Sequence, residues 1–166
     1  SYKKAIVIRP SFGEAYYNLA RTFQNKGDLT NAINNCEKAI ELQPSNFEAF
    51  NSLGSMYLKL RQLDDAIISF EKALAIEPDY VDALSNLGAA FQEQGKLDLA
   101  LKNFQKALII NPKSAEALNN LAVSLRDNGE LSKALKNFER ALNLNPKSTE
   151  ILNNCGATLK NLGETG

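Results

Sequence analysis

The chain has 166 residues, 19 of them basic and 19 acidic, with no histidine and two cysteines. A formal net charge of zero argues against a nucleic-acid binder, which needs a basic surface to contact phosphates. No apolar run approaches the roughly 20 residues of a membrane-spanning helix, so no membrane association is expected.

The sequence repeats every 34 residues, which is a period of helix–turn–helix arrays. All five prolines obey this spacing: Pro10, Pro44, Pro78, Pro112 and Pro146. We number each repeat from 1 to 34 so that proline is position 32. Apolar residues at positions 4, 7, 8 and 11 predict a first helix, helix A, and those at 17 to 30 predict a second, helix B. Glycine at position 15 is expected to end helix A, and the proline to end helix B.

The predicted elements in chain order are a lone helix B (1–12), four complete repeats (13–46, 47–80, 81–114 and 115–148) and a lone helix A (149–166). The chain begins in mid-pattern, so we expect it to be a fragment of a longer protein. Three capping boxes are predicted before helix A, namely Ser11-x-x-Glu14, Ser45-x-x-Glu48 and Asp79-x-x-Asp82.

These residues resemble the tetratricopeptide repeat family over nearly the whole chain. Small residues at positions 8, 20 and 27, the aromatic residue at position 24 and the proline carry the resemblance, whereas tryptophan is missing from position 4. The resemblance implies an all-α fold, a right-handed α-α superhelix of antiparallel helix pairs. It also implies that the A helices line a concave groove.

Asparagines recur on the helix A face that points away from the predicted core. Position 6 reads Asn18, Ser52, Asn86, Asn120 and Asn154, and position 5 reads Tyr17, Asn51, Ser85, Asn119 and Asn153. A side-chain amide offers donors and an acceptor that suit the backbone of an extended peptide. This series resembles the asparagine ladder in the tetratricopeptide superhelix of O-linked N-acetylglucosamine transferase. Asparagine is also abundant elsewhere, so composition alone remains an alternative.

The predicted peptide-binding residues of the groove are Asn18, Asn86, Asn120, Asn154, Ser52, Tyr17, Asn51, Asn119, Asn153, Arg21, Lys59 and Arg126. Three of these are cations, but Glu93 and Asp127 occupy comparable positions and give the groove mixed charge. The position 2 acids are explained by the helix dipole as well as by ligand contact.

No catalytic site, metal site or cofactor is predicted. The absence of histidine removes the commonest general base and zinc ligand, and no phosphate-binding loop is present. Cys36 and Cys155 occupy positions expected to lie in the core. Only two cysteines favour a reducing compartment and hence a cytoplasmic location.

Three functions are compatible with this pattern. The favoured one is a non-catalytic scaffold that binds an extended peptide segment of a protein partner in the helix A groove. An alternative is a substrate-recruiting segment of a larger glycosyl- or sulfo-transferase. Another is end-to-end self-association, with Leu152, Cys155, Leu159 and Leu162 at one end and Tyr2, Ile6 and Ile8 at the other.

Overall fold

The computed structural model describes residues 13–164. Within this range the chain forms only α-helices, in the predicted alternation of helix A and helix B. They are α1 (Gly13–Asn25), α2 (Leu29–Leu42), α3 (Phe47–Lys59), α4 (Leu63–Ile76), α5 (Val81–Glu93), α6 (Leu97–Ile110), α7 (Ala115–Asp127), α8 (Leu131–Leu144) and α9 (Thr149–Glu164). The predicted helix in 1–12, with its apolar residues and the Ser11 cap, lies outside the described residues.

The described residues divide into two compact units, with the boundary between Asn86 and Leu87 in α5. In the first unit, α1 packs on α2 and α3 packs on α4 as antiparallel hairpins. In the second unit, α7 and α8 form such a hairpin and α9 packs on α8. Each unit therefore buries its core between successive helix pairs, as the period predicts.

Helix A ends in a left-handed residue, because the chain must turn back within three residues. Gly27, Gly95 and Gly129 have φ angles of 78°, 74° and 79°. In the first turn, Gly27 N–H donates to Gln24 C=O and Asp28 N–H donates to Phe23 C=O, each at 3.0 Å. This pair of hydrogen bonds is a Schellman motif and satisfies the last carbonyls of the helix.

The remaining two position 15 residues depart from this pattern in different ways. Arg61 replaces the glycine of the second repeat and still adopts a φ of 62°, with Gln62 N–H donating to Tyr57 C=O at 2.9 Å. Gly163 was expected to end the last helix A, but α9 continues through it to Glu164. A glycine only permits the left-handed conformation, and the described part of α9 has no following helix B to require it.

We expect Arg61→Gly to stabilise the protein by about 1 kcal/mol, since glycine adopts a positive φ without the steric cost that a Cβ imposes. Urea unfolding followed by circular dichroism measures the change. The reverse substitution, Gly129→Arg, is the matched control. No atom lies within 4 Å of a Cβ at that position, so it should destabilise through backbone strain alone. A destabilising Arg61→Gly would contradict the prediction.

Proline ends each of the four described B helices, as predicted, and the helix stops two residues before it. The residue just before Pro44, Pro78, Pro112 or Pro146 has a ψ of 80°, 90°, 88° or 78°. All four ψ angles lie outside the helical region, which the proline ring disfavours for its predecessor.

The predicted capping boxes at Ser45 and Asp79 are wrong by one residue. The N-cap of α3 is Asn46, whose Oδ1 accepts from Ala49 N–H at 2.9 Å, and Ser45 lies in the preceding turn. The equivalent cap at α7 is Ser114, which accepts from Ala117 N–H at 3.1 Å. A capping oxygen must reach the N–H three residues later, so position 34 performs this role and position 33 does not. Asp79 likewise precedes α5 by two residues.

The core follows the predicted small and aromatic positions. Phe70, Phe104 and Phe138 are fully buried on helix B. A Cβ added at Gly54 would lie 2.6 Å from Cε1 of Phe70, and one at Gly88 would lie 2.6 Å from Cε1 of Phe104. Glycine at position 8 is therefore required in these two hairpins so that helix A can approach the ring.

Candidate functional site

The position 5 and 6 side chains do not form one open row. Each hydrogen bond that joins them across helices links position 5 of one repeat to position 6 of the next. Asn86 Nδ2 donates to Asn51 Oδ1 at 3.0 Å, and Asn154 Nδ2 donates to Asn119 Oδ1 at 3.1 Å. Tyr17 and Ser52 make the same link through their hydroxyls at 3.1 Å. The amides thus hold successive A helices together.

This arrangement corrects the expectation that both members of each asparagine pair point away from the core. Asn51 is 9% exposed and Asn119 is 3% exposed. The reason is that position 5 faces the neighbouring helix A, where the next repeat covers it. The position 6 members keep a larger exposed fraction, as do Tyr17 on α1 and Asn153 on α9.

In the first unit, the position 5 and 6 side chains extend into a wider polar network. Asn86 Nδ2 also lies 3.4 Å from Ser55 Oγ, and Asn51 Nδ2 donates to the Tyr80 hydroxyl at 3.5 Å. Burial is the largest cause that raises the pKa of Tyr80, to about 12. Burial likewise raises the pKa of Tyr17. Both phenols therefore stay protonated and act as hydrogen-bonding groups.

In the second unit, Asn119 is the centre of the network. Its Nδ2 donates to Glu150 Oε1 at 3.0 Å and lies 3.4 Å from Asn120 Oδ1, while its Oδ1 accepts from Asn154. Among the described residues, no side chain accepts from Asn120 Nδ2. Asn120 therefore keeps a donor to offer, although it is only half-buried.

A cleft of about 480 Å³ lies over this network. Its lining consists of Ala89, Gln92, Glu93, Asn119, Asn120, Val123, Asp127, Glu150 and Asn154. A second cleft of about 310 Å³ shares Asn119, Asn120 and Glu150 and continues toward Glu116 and Ser148. Amides and carboxylates thus line an open surface on the A helices of the second unit.

Sequence reasoning missed Gln92, which is held in place in this cleft. Its Oε1 accepts from Ser124 Oγ at 3.0 Å and its Nε2 donates to Asp127 Oδ2 at 3.3 Å. The sequence did contain one signal for Gln92, because it occupies position 12 of its repeat, as the predicted groove residue Arg126 does. An isolated glutamine gave no reason to single it out.

Each predicted cation has its own local surroundings. The Arg21 guanidinium lies 6.0 Å from the centre of the Tyr17 ring, and Lys59 is exposed in the last turn of α3. Arg126 donates from Nε and Nη2 to Oδ1 of its neighbour Asp127, at 3.1 and 3.0 Å. Asn18 is half-buried on α1, where its backbone carbonyl accepts from Thr22 Oγ1 at 2.9 Å.

The two cysteines differ from each other. Cys36 is fully buried, as predicted, and burial raises the pKa of its thiol to about 12. Cys155 was also expected in the core but is only half-buried, because no described helix B covers α9. Leu152, Leu159 and Leu162 on the same helix are 48%, 54% and 39% exposed.

The described residues contain neither a metal-binding cluster nor a membrane-spanning helix. No group of three or more histidine, cysteine, aspartate or glutamate side chains in 13–164 is placed to hold a metal ion. Over the same range, no helix combines the length and apolar character needed to cross a bilayer.

Comparison with known proteins gives a consistent result. Sequence models described as tetratricopeptide repeat match residues 13–46, 35–68 and 79–147, and one described as TPR repeat matches 54–95. No curated protein matches the sequence significantly.

Solved structures of similar fold are numerous. MamA is 27% identical, with a TM-score of 0.79 over 88% of this chain and 85% of that one. YrrB, described as a TPR protein with an unusual peptide-binding site, is 26% identical, with a TM-score of 0.80 over 98% and 84%. A thermophilic TPR protein from Thermus thermophilus, TTC0263, shares the fold at 24% identity, with a TM-score of 0.81 over 95% and 87%.

The family models together span residues 13–147, and the helix pairs, left-handed turns and prolines of the structure follow the same period. The chain belongs to the tetratricopeptide repeat family.

Proposed function

We propose that this chain is a non-catalytic scaffold that binds an extended peptide segment of a protein partner, with the cleft on α5, α7 and α9 as the contact surface. Tetratricopeptide repeats support protein–protein interaction in general. The finer proposal concerns which surface binds and by what chemistry.

The observation that carries the proposal is the second-unit cleft with its fixed amides. Asn119 anchors Asn154 and Glu150, so these side chains are held before a ligand arrives. Preorganised groups lose little conformational entropy on binding. Asn120 Nδ2 and Asn154 Oδ1 then provide a donor and an acceptor, which is the pairing that a peptide backbone requires. The description of the similar YrrB as a peptide binder supports the same assignment.

The test begins with a random peptide library displayed on phage and selected against the whole chain. We expect the enriched peptides to bind Asn120→Ala about fivefold more weakly in fluorescence anisotropy, because a hydrogen bond between uncharged groups in a half-buried site contributes about 1 kcal/mol. Asn153→Ala is the matched control. Asn153 was among the predicted groove residues, but it is exposed on α9 and does not line the cleft.

A second measurement separates backbone from side-chain recognition. N-methylation of alternate peptide bonds removes N–H donors from the ligand and keeps its side chains. Affinity should fall if the amides bind the backbone. Equal binding of the methylated peptide, or of the Asn120→Ala variant, would show that the amides are not the contact surface. Recruitment for a larger transferase and self-association remain predictions from the sequence.

A further inference from the structure

Another cleft lies in the first unit. It has a volume of about 530 Å³ and is formed by α2, α3 and α4. It shares no residue with the asparagine positions of the A helices. Its lining consists of Glu37, Ile40, Glu41, Phe50, Leu53, Tyr57, Asp65, Ile68, Ser69 and Lys72.

The floor of this cleft is apolar and only partly covered. Leu53 is buried, whereas Ile40, Phe50 and Tyr57 are half-buried and Ile68 is 50% exposed. Partly exposed large apolar side chains in a concavity favour a ligand that brings an apolar group of its own. A cleft of this volume is large enough for one or two aliphatic side chains.

The rim of the cleft is acidic. Glu37, Glu41 and Asp65 are exposed carboxylates, against the single ammonium of Lys72. The Tyr57 hydroxyl donates to Glu37 Oε1 at 3.5 Å, which ties one carboxylate to the floor. The Lys72 ammonium lies 5.8 Å from the centre of the Phe50 ring, at the edge of the cleft.

The acidic character is specific to this pair of repeats and does not belong to the repeat pattern. Two repeats later, the residues equivalent to Asp65, Ile68 and Lys72 are Lys133, Lys136 and Arg140, and those equivalent to Glu37 and Glu41 are Gln105 and Ile109. The same surface of the second unit is therefore cationic, although the whole chain has no net charge.

We infer that the cleft between α2 and α4 is a second docking site, and that its partner is a basic segment carrying a large aliphatic side chain between lysines or arginines. The aliphatic group fills the floor formed by Ile40, Phe50 and Ile68. The flanking cations meet the carboxylates of the rim. Charge complementarity then selects against an acidic segment of the same shape.

The probe is a fluorescein-labelled peptide with one leucine flanked on each side by two lysines, and its counterpart has glutamates in place of the lysines. Titration of the isotope-labelled whole chain, followed by amide NMR, should move resonances of α2 and α4 with the lysine peptide only. Changes centred on α7 and α8, or no change with about 2 mM lysine peptide, would overturn the inference. So would equal binding of the glutamate peptide.

Two variants test the rim and the floor. The triple change Glu37→Gln, Glu41→Gln and Asp65→Asn should weaken the lysine peptide at least about fivefold, because each exposed pair contributes modestly. Ile68→Ser should weaken it by a similar factor without changing its salt dependence.

The matched control is Glu14→Gln, Glu48→Gln and Glu71→Gln, which removes three exposed carboxylates of the same unit that do not line the cleft. It should leave the affinity within about twofold. If this control weakens binding as much as the rim variant, only net charge matters and the docking site is refuted. Because the asparagine cleft lies in the other unit, these results are independent of the proposed function.

Discussion

Phe104→Ala is expected to lower the free energy of unfolding by about 3–5 kcal/mol. The Phe104 ring is fully buried and lies against Gly88, which has no side chain to fill the space that the ring would leave. The second unit would therefore contain a cavity that helix packing closes only in part. Urea unfolding followed by far-ultraviolet circular dichroism measures the loss, and hydrogen exchange in α6 shows where it occurs.

The control for this substitution is Ile109→Ala on the same helix. Ile109 is 79% exposed, so removing its side chain should change stability by less than about 0.5 kcal/mol. If Phe104→Ala costs no more than this control, the aromatic position does not form the core of the hairpin. Each repeat contacts only the adjacent repeats, and α1 and α2 are not adjacent to the repeat of Phe104. These two helices should therefore keep their exchange protection in the variant.

Asn119→Ala is expected to cost about 1–3 kcal/mol, although alanine is the better helix former. The substitution removes the 3.1 Å bond from Asn154 and the 3.0 Å bond to Glu150, and it leaves the half-buried Asn154 amide without its acceptor. A double-mutant cycle compares the free energies of unfolding of Asn119→Ala, Asn154→Ala and the double variant, measured by thermal and urea unfolding. A coupling energy near 1 kcal/mol is expected for the pair.

Asn153→Ala provides the comparison for Asn119→Ala. Both asparagines occupy position 5 of a helix A, but Asn153 is exposed and Asn119 is 3% exposed. Asn153→Ala should be neutral or slightly stabilising, because helix propensity is then the main effect. Equal costs for the two substitutions would show that the buried bonds of Asn119 contribute nothing to stability.

Within residues 13–164, the period of 34 predicted the alternating helices and most of the turns and core, because glycine, proline and the aromatic residue each have a local steric role at a fixed position. The exceptions are Gly163, which does not end α9, and Cys155, which is only half-buried. The register of the caps was not predictable to the residue, since Ser45 and Asn46 are both good capping residues. Only the backbone shows that Asn46 accepts from Ala49.

The candidate site was predicted less completely, and Asn119 shows why. Helical periodicity places this residue away from its own helix B. The sequence analysis therefore predicted that its side-chain amide is exposed in the groove. The neighbouring helix A covers it instead, and a single-helix argument contains no information on the distance between repeats. The cleft residue Gln92 was missed for the same reason, since its role depends on contacts with Ser124 and Asp127 on the next helix A.

The link from position 5 of one repeat to position 6 of the next has a consequence for how such a chain changes length. The amide partners are 35 residues apart both for Asn51 with Asn86 and for Asn119 with Asn154. Duplication or loss of a whole repeat keeps the offset of 35 residues between position 5 of one repeat and position 6 of the next. A one-residue insertion within an A helix rotates the amides beyond it by about 100° and breaks the link. Evolution and protein engineering should therefore lengthen or shorten this chain in whole repeats.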